Sequence, residues 1–252
     1  MGRVVAIANQ KGGVGKTTTA VNLSACMAAA GRRVLLVDLD PQGNATSGLG
    51  VDKTSVKNTL YDVLTYDVPL RQVILPTLME DLKLVPSNKD LVGAEVEFVE
   101  VEDREFRLRG SLEPVRIDFD YVFIDCPPSL SLLTVNGLVA ADSVLVTLQC
   151  EYYALEGLSE LLHTIKLVRD NLNASLKLEG VLLTMYQHTN LSKQVVEDVR
   201  KHLGDKVYQT VIPRNVTLSE APSFGKPIIF YDLTAAGAKA YIALAREVVS
   251  RG

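Results

Sequence analysis

Six short runs of apolar, largely β-branched residues recur along the chain, and few polar positions interrupt them. They occupy residues 4–9, 34–39, 121–126, 143–149, 178–185 and 207–212. A continuous apolar run of this length is typical of a strand that is buried on both faces. The pattern therefore predicts a parallel β-sheet with helices covering both of its sides.

The stretches between these runs have the helical period. Helices are predicted over residues 17–30, 154–170, 191–203 and 234–250. In the third of these, an apolar residue recurs every fourth position from Leu191 to Leu203, as on one face of a helix. Strands that alternate with helices predict a three-layer, doubly wound α/β fold with a mostly parallel sheet. The pattern has no internal repeat or linker and predicts one domain over residues 1–252, in which the charge-rich stretch 95–109 is interpreted as a solvated helix face.

The bulk composition narrows the class of protein. Of the 252 residues, 47% are hydrophobic and 22% are charged, which is typical of a globular protein. The net charge of −4 provides no overall basic field, so a nucleic-acid surface would have to be a local patch. Cys26, Cys126 and Cys150 lack metal-ligand spacing and predict free thiols in a reducing compartment. We therefore expect a cytoplasmic protein.

A glycine-rich segment, GGVGKTT, follows the first predicted strand and opens the first predicted helix. It matches the end of the phosphate-loop pattern G-x-x-x-x-G-K-[ST], although Gln10 stands where the pattern has its first glycine. The loop N–H groups and the helix N-terminus would surround phosphate oxygens. Lys16 would reach the β- and γ-phosphates, Thr17 would ligate Mg²⁺ and Thr18 would contact the α-phosphate. The predicted phosphate-binding residues are Gly12, Gly13, Val14, Gly15, Lys16, Thr17 and Thr18.

Aspartates end two of the predicted strands. Asp38 and Asp40 end the second run, and Asp125 ends the apolar run YVFID. The latter is the Walker B pattern, in which the carboxylate holds Mg²⁺ through water. The alternative for Asp125 is a carboxylate that caps a turn.

A lysine that the general pattern does not require precedes the first glycine. With it, the sequence K-G-G-x-G-K-T-T resembles the deviant phosphate loop of the ParA/MinD family of ATPases. The resemblance continues in four segments, which point to the chromosomal ParA (Soj) subgroup: residues 34–50, 121–129, 149–157 and 211–228. It implies the P-loop NTPase fold, with ATP and Mg²⁺ as cofactors.

The resemblance also implies roles for individual residues. Lys11 would reach across the interface of an ATP-dependent homodimer to the nucleotide of the partner chain; the alternative is an exposed loop lysine. Asp40 would position the attacking water. The implied catalytic residues are Lys11, Lys16 and Asp40, the implied metal ligands are Thr17, Asp40 and Asp125, and the implied adenine contacts are Met185, Pro213, Arg214 and Asn215.

Two functions fit an ATPase that forms a dimer when it binds ATP. A partitioning ATPase would bind double-stranded DNA nonspecifically as its ATP dimer, would associate with the nucleoid, and would hydrolyse ATP slowly until a ParB-like protein stimulates it. A MinD-like positioning ATPase would act instead on a protein complex or a membrane. The C-terminal stretch AYIALAREVVSRG contains no Phe or Trp, so we expect a core helix there and no membrane contact.

The interpretation as a DNA-binding ATPase depends on a local basic patch. The candidate residues are Lys193, Arg200, Lys201, Lys226, Lys239 and Arg246. The alternative is that these residues belong to solvent-exposed helix faces of mixed charge, which would have the same composition. His188 and Thr217 stand where the subgroup often has arginines linked with DNA binding, and we therefore expect DNA binding that is weak and steeply salt-sensitive.

Overall fold

The computed structural model describes residues 1–151 and 154–251, in which the strands form one sheet. The strands are β1 (Arg3–Ala8), β2 (Val34–Asp38), β3 (Leu75–Pro76), β4 (Leu82–Val85), β5 (Tyr121–Asp125), β6 (Ser143–Gln149), β7 (Lys177–Tyr186) and β8 (Val207–Pro213). Their order across the sheet is β3-β4-β2-β5-β1-β6-β7-β8. Every neighbouring pair is parallel except β3 and β4.

Helices cover both faces of this sheet. They are α1 (Lys16–Ala29), α2 (Asn44–Gly48), α3 (Leu60–Tyr66), α4 (Leu91–Glu97), α5 (Arg107–Leu112), α6 (Leu132–Ala140), α7 (Ala154–Asn171), α8 (Asn190–Leu203), α9 (Val216–Glu220), α10 (Ile228–Tyr231) and α11 (Ala236–Arg251). One core lies between the sheet and α3 to α8, and the other between the sheet and α1, α2, α9, α10 and α11. Along β1, Val4 and Ala6 face the first core, whereas Val5 and Ile7 face the second. The predicted three-layer, mostly parallel α/β fold is confirmed.

Each predicted strand and helix is present within two residues of its expected bounds, but the stretch 95–109 is not the single helix face expected. α4 ends at Glu97, and α5 begins only at Arg107. Phe98, which follows α4, and Leu108, within α5, are both buried in the core.

The register of the central strands positions the site. Asp125 at the end of β5 lies beside Ile7 of β1 and Asp38 of β2. The carboxyl ends of β1, β2 and β5 are therefore level, and the loops that follow them meet at one edge of the sheet. Ligands of open parallel sheets bind in such a crevice.

Candidate nucleotide-binding site

The loop from β1 to α1 is braced by its own first residue. The Asn9 side-chain amide donates a hydrogen bond to the Thr147 carbonyl at 2.6 Å and accepts one from the Lys11 N–H at 2.9 Å. Gly13 and Gly15 have φ values of +72° and +87°, a conformation that a side chain would strain. Gly15 also occupies the N-cap of α1 without any side-chain cap. The first N–H groups of α1 therefore need an acceptor, which an anion can supply.

Lys16 lies at the base of this loop and is only 6% exposed. Its ammonium donates to the Lys11 carbonyl at 3.1 Å. Burial lowers the pKa of Lys16, and the nearby Asp125 carboxylate opposes that shift most strongly. A buried cation is thus held where the phosphate groups of a ligand would lie.

Asp125 is a fully buried carboxylate, and within the described residues neither of its oxygens accepts a well-formed hydrogen bond. Burial raises its pKa well above the ordinary value and Asp38 adds to the effect, whereas the Thr17 hydroxyl opposes it. Two unpartnered oxygens beside a threonine hydroxyl are hard ligands and fit Mg²⁺. The described part of the chain contains no cluster of three or more metal-binding side chains.

Asp38, which ends β2, and Asp40, which follows the strand, have different environments. Asp38 is fully buried and accepts hydrogen bonds from the N–H and the hydroxyl of Thr46, both at 2.7 Å. Burial nevertheless raises the pKa of Asp38 to about 6. Asp40 accepts a hydrogen bond from the Gln42 N–H at 2.9 Å with one oxygen. Asp38 therefore anchors the segment through Thr46, and Asp40 has the freer carboxylate.

A pocket of about 150 Å³ adjoins the phosphate loop. Its lining includes the predicted phosphate-binding residues Gly15 and Thr18 and all the predicted adenine contacts: Met185, Pro213, Arg214 and Asn215. Met185 has a φ of +52°, a strained conformation for a non-glycine residue that is commonest at functional sites. The structure thus brings the two predicted sets together, and contact with adenine stays a prediction.

Sequence reasoning missed Thr184, which supports this pocket from β7. Its hydroxyl donates to the Val14 carbonyl at 2.9 Å, and its methyl group lies against Gly15. The two hydrogen-bonded residues are 170 positions apart, so no local signal points to the contact.

Replacing Thr184 by valine is expected to lower the free energy of unfolding by about 1 kcal/mol, since one buried hydrogen bond is lost. For a chain of this size that corresponds to about 2–4 °C in Tm, and we expect ATP affinity to fall several-fold. Thr147→Val is the matched control, because the Thr147 hydroxyl is buried without a partner among the described residues. An equal loss in both variants, measured by thermal unfolding, would contradict the anchoring role of Thr184.

The six candidate DNA-binding residues fall into two groups. Lys193, Arg200 and Lys201 lie on α8, whereas Lys226 precedes α10 and Lys239 and Arg246 lie on α11. α8 and α11 pack on opposite faces of the sheet, on either side of the edge strand β8. All are exposed except Arg200, which is half-buried and donates to the Gln209 carbonyl at 3.2 Å. A single chain therefore does not gather these residues on one face.

The C-terminal helix packs as expected. The apolar stripe of α11 is buried, with Tyr241, Leu244 and Val248 each at most 1% exposed. No helix in the described ranges combines the length and apolar character that crossing a membrane requires.

A glycine loop between a parallel strand and a helix, with a buried lysine and carboxylates on the adjoining strands, defines a P-loop nucleotide-binding protein. The family model described as an AAA domain matches residues 2–178. The sporulation initiation inhibitor protein Soj of Bacillus subtilis is 58% identical over 253 residues, with 100% of each chain covered. The chromosome partitioning protein ParA of Myxococcus xanthus is 56% identical, with 100% of this chain and 89% of that protein covered. The chain belongs to the Soj/ParA family of chromosome-partitioning P-loop ATPases.

Two solved structures are also similar along the whole chain. Cobyrinic acid a,c-diamide synthase from Mycobacterium smegmatis, solved with ADP and magnesium, has a TM-score of 0.85 and 41% identity, covering 98% of this chain and 93% of that one. The cell division ATPase MinD of Pyrococcus furiosus has a TM-score of 0.83 and 28% identity, with 100% of each chain covered. Both comparisons support the P-loop fold of the ParA and MinD type.

Proposed function

We propose that the chain is a Mg²⁺-dependent ATP switch that partitions a chromosome or plasmid. Its cofactors are ATP and Mg²⁺. The observation that carries the proposal is the continuity of three features around Gly15 and Lys16: the uncapped α1 N-terminus, the unpartnered Asp125 carboxylate and the pocket of about 150 Å³. They match, in that order, the phosphate groups, the Mg²⁺ ion and the base of a nucleotide bound with Mg²⁺.

Individual residues have distinct roles in this switch. Lys16 neutralises the phosphates of its own nucleotide, and Asp125 and Thr17 hold the metal ion. Asp40 orients the attacking water. Lys11 crosses to the nucleotide of a second chain, where its charge stabilises negative charge that develops in hydrolysis. Two chains of one domain each, residues 1–252, thus form a homodimer around two ATP molecules.

The timing of the switch comes from a partner. Hydrolysis is slow by itself, and a ParB-like protein stimulates it, so that ATP assembles the dimer and hydrolysis separates it. The dimer binds double-stranded DNA nonspecifically and associates with the nucleoid in the cytoplasm. The basic residues of α8 and α11 form two groups in one chain, so only a few phosphates would be neutralised and binding would be weak.

The alternative is a MinD-like ATPase that positions a protein complex or acts at a membrane. The similarity to MinD of Pyrococcus furiosus favours it. The burial of the α11 stripe argues against the membrane form, because that form needs an amphipathic helix with a free apolar face.

The similarity to a diamide synthase raises amide transfer as a further activity. A cysteine nucleophile reacts as its thiolate, so cysteine-based catalysis needs a thiol with a low pKa. The three cysteines of this chain are all buried. Burial raises the pKa of Cys26 to about 12 and of Cys150 to about 11, and it raises that of Cys126 further still. Burial thus favours the protonated form of all three thiols, which is the less reactive form.

The deciding experiment uses the Asp40→Ala variant, which is expected to bind ATP and dimerise but not to hydrolyse. Binding to nonspecific duplex DNA is measured with ATP and with ADP at 0.05 and 0.2 M salt. We expect binding with ATP alone, and for about three neutralised phosphates the affinity should fall about 40-fold between the two salt concentrations. A variant that dimerises with ATP but ignores DNA would favour the positioning ATPase.

A further inference from the structure

Lys11 already has an acidic partner within its own chain. Its ammonium lies 2.9 Å from a carboxylate oxygen of Glu151, and the two side chains are 54% and 49% exposed. The other oxygen of Glu151 accepts a hydrogen bond from the Gln149 side-chain amide. The two ion-pair partners meet because β1 and β6 are neighbouring parallel strands, so the segments that follow them lie side by side.

The backbone of Lys11 is fixed while its side chain can change partners. The Lys11 N–H donates to Asn9, and the Lys11 carbonyl accepts from the Lys16 ammonium. Among the described residues, the Lys11 ammonium is paired only with Glu151, at the surface, where an ion pair is weak and exchangeable. Lys11 can thus leave Glu151 without disturbing the phosphate loop.

We propose that Glu151 is a positioning residue that holds Lys11 within its own chain, and that dimerisation must break this ion pair in both chains. The inference rests on the proposed function, in which Lys11 serves the partner's nucleotide. In the dimer the phosphates of the partner's nucleotide replace the Glu151 carboxylate. Two ion pairs break for each dimer formed. The effect of one pair on the dissociation constant of the dimer is therefore squared.

The Glu151 ion pair raises the protein concentration at which dimers form, but it does not change the ratio between the affinities of the ATP dimer and the ADP dimer. If the pair breaks in dimers of either nucleotide state, Glu151 weakens the ATP dimer and the ADP dimer by the same factor. The ADP dimer has fewer compensating contacts with Lys11, because it lacks the γ-phosphate. Glu151 therefore keeps the ADP form monomeric at concentrations at which the ATP form still dimerises.

The test compares Glu151→Gln with the unaltered residue, both in the Asp40→Ala background, by sedimentation with ATP and with ADP. We expect about a three-fold gain per chain, and hence a dimer dissociation constant about ten-fold lower, in line with measured exposed ion pairs. The affinity of the monomer for ATP should not change, since Lys11 does not serve its own nucleotide. The gain should shrink at high salt, because salt screens the pair that the variant lacks.

Two controls separate the ion pair from a general change of charge. Glu197→Gln removes one exposed carboxylate from α8 and should leave the dimer unchanged. Adding Glu151→Gln to a Lys11→Ala chain should not restore the ATP dimer, because the two residues act through one contact.

The results separate the role of Glu151 from the proposed ATP-dependent dimer on which it rests. If Glu151→Gln dimerises no more tightly than Glu197→Gln, or more weakly, the holding role of Glu151 is wrong while the ATP dimer itself stands. If the unaltered chain does not dimerise with ATP at any attainable concentration, both the role of Glu151 and the proposed function fall.

Discussion

Alanine in place of Lys11 is expected to leave ATP binding by the monomer within about three-fold of the unaltered chain and to abolish the ATP-dependent dimer. The side chain is 54% exposed and makes no contact with the buried Lys16 ammonium, which bonds instead to the Lys11 carbonyl. Loss of a charged contact across an interface costs about 2 kcal/mol or more. Because each dimer contains two such contacts, the dissociation constant should rise about 1,000-fold. Sedimentation with ATP measures the dimer, and titration with a fluorescent ATP analogue measures the monomer.

Lys16→Ala is the contrasting variant. Lys16 is buried beside Asp125, so its loss removes the positive charge at the phosphate site and should abolish nucleotide binding itself. The two lysines are therefore expected to fail at different steps, although both belong to the same loop. A Lys11→Ala chain that dimerises normally with ATP would contradict the proposed role of Lys11 in trans.

The parts of the fold that were predicted have local signals. A buried parallel strand is a continuous apolar run, and the phosphate loop is a fixed spacing of glycines, lysine and threonine. β4 was missed because it has only four residues, one of them Lys83. α6 was missed because it is apolar on nearly all sides, so it has no helical stripe that periodicity could detect.

The parts of the site that were missed depend on distant residues. Thr46 anchors Asp38, Thr184 anchors Val14 and Glu151 pairs with Lys11, over separations of 8, 170 and 140 residues. A threonine or glutamate is unremarkable in sequence, and its contact exists only after the chain has folded. In contrast, Asp125 was predicted as a metal ligand, because an apolar strand that ends in aspartate is itself a local pattern.

The unpartnered carboxylate at the centre of the site should reduce the stability of the protein without ligand. Both oxygens of Asp125 are buried, and neither accepts a well-formed hydrogen bond from the described residues. Burial raises its pKa well above the ordinary value, although the Thr17 hydroxyl opposes the rise. A group whose pKa is raised in the folded state destabilises that state when it is ionised. Stability should therefore increase as the pH falls towards the raised pKa, as far as the pKa of the unfolded chain.

Asparagine at position 125 is accordingly expected to raise the Tm of the ligand-free protein while it abolishes Mg²⁺-dependent ATP binding. Relief of about 2 kcal/mol, typical for a buried unsatisfied group, corresponds to about 4–8 °C in a chain of this size. The gain should be largest at pH 7 and smaller at pH 5, because the unaltered Asp125 is protonated more often there. Added Mg²⁺ and ATP should raise the Tm of the unaltered chain by ligand linkage but not that of Asp125→Asn.

Asp120→Asn is the control for this change, because Asp120 has the opposite environment. It accepts hydrogen bonds from Arg33, and that contact lowers its pKa. Its ionised form therefore stabilises the fold above the pKa of the unfolded chain, and that contribution is lost as the pH falls through the lowered value. Asp120→Asn should lower the Tm at pH 7 and leave ATP binding intact. If Asp125→Asn also lowers the Tm of the ligand-free protein, the carboxylate is satisfied within the fold, and the case for a metal site built around it loses its main support.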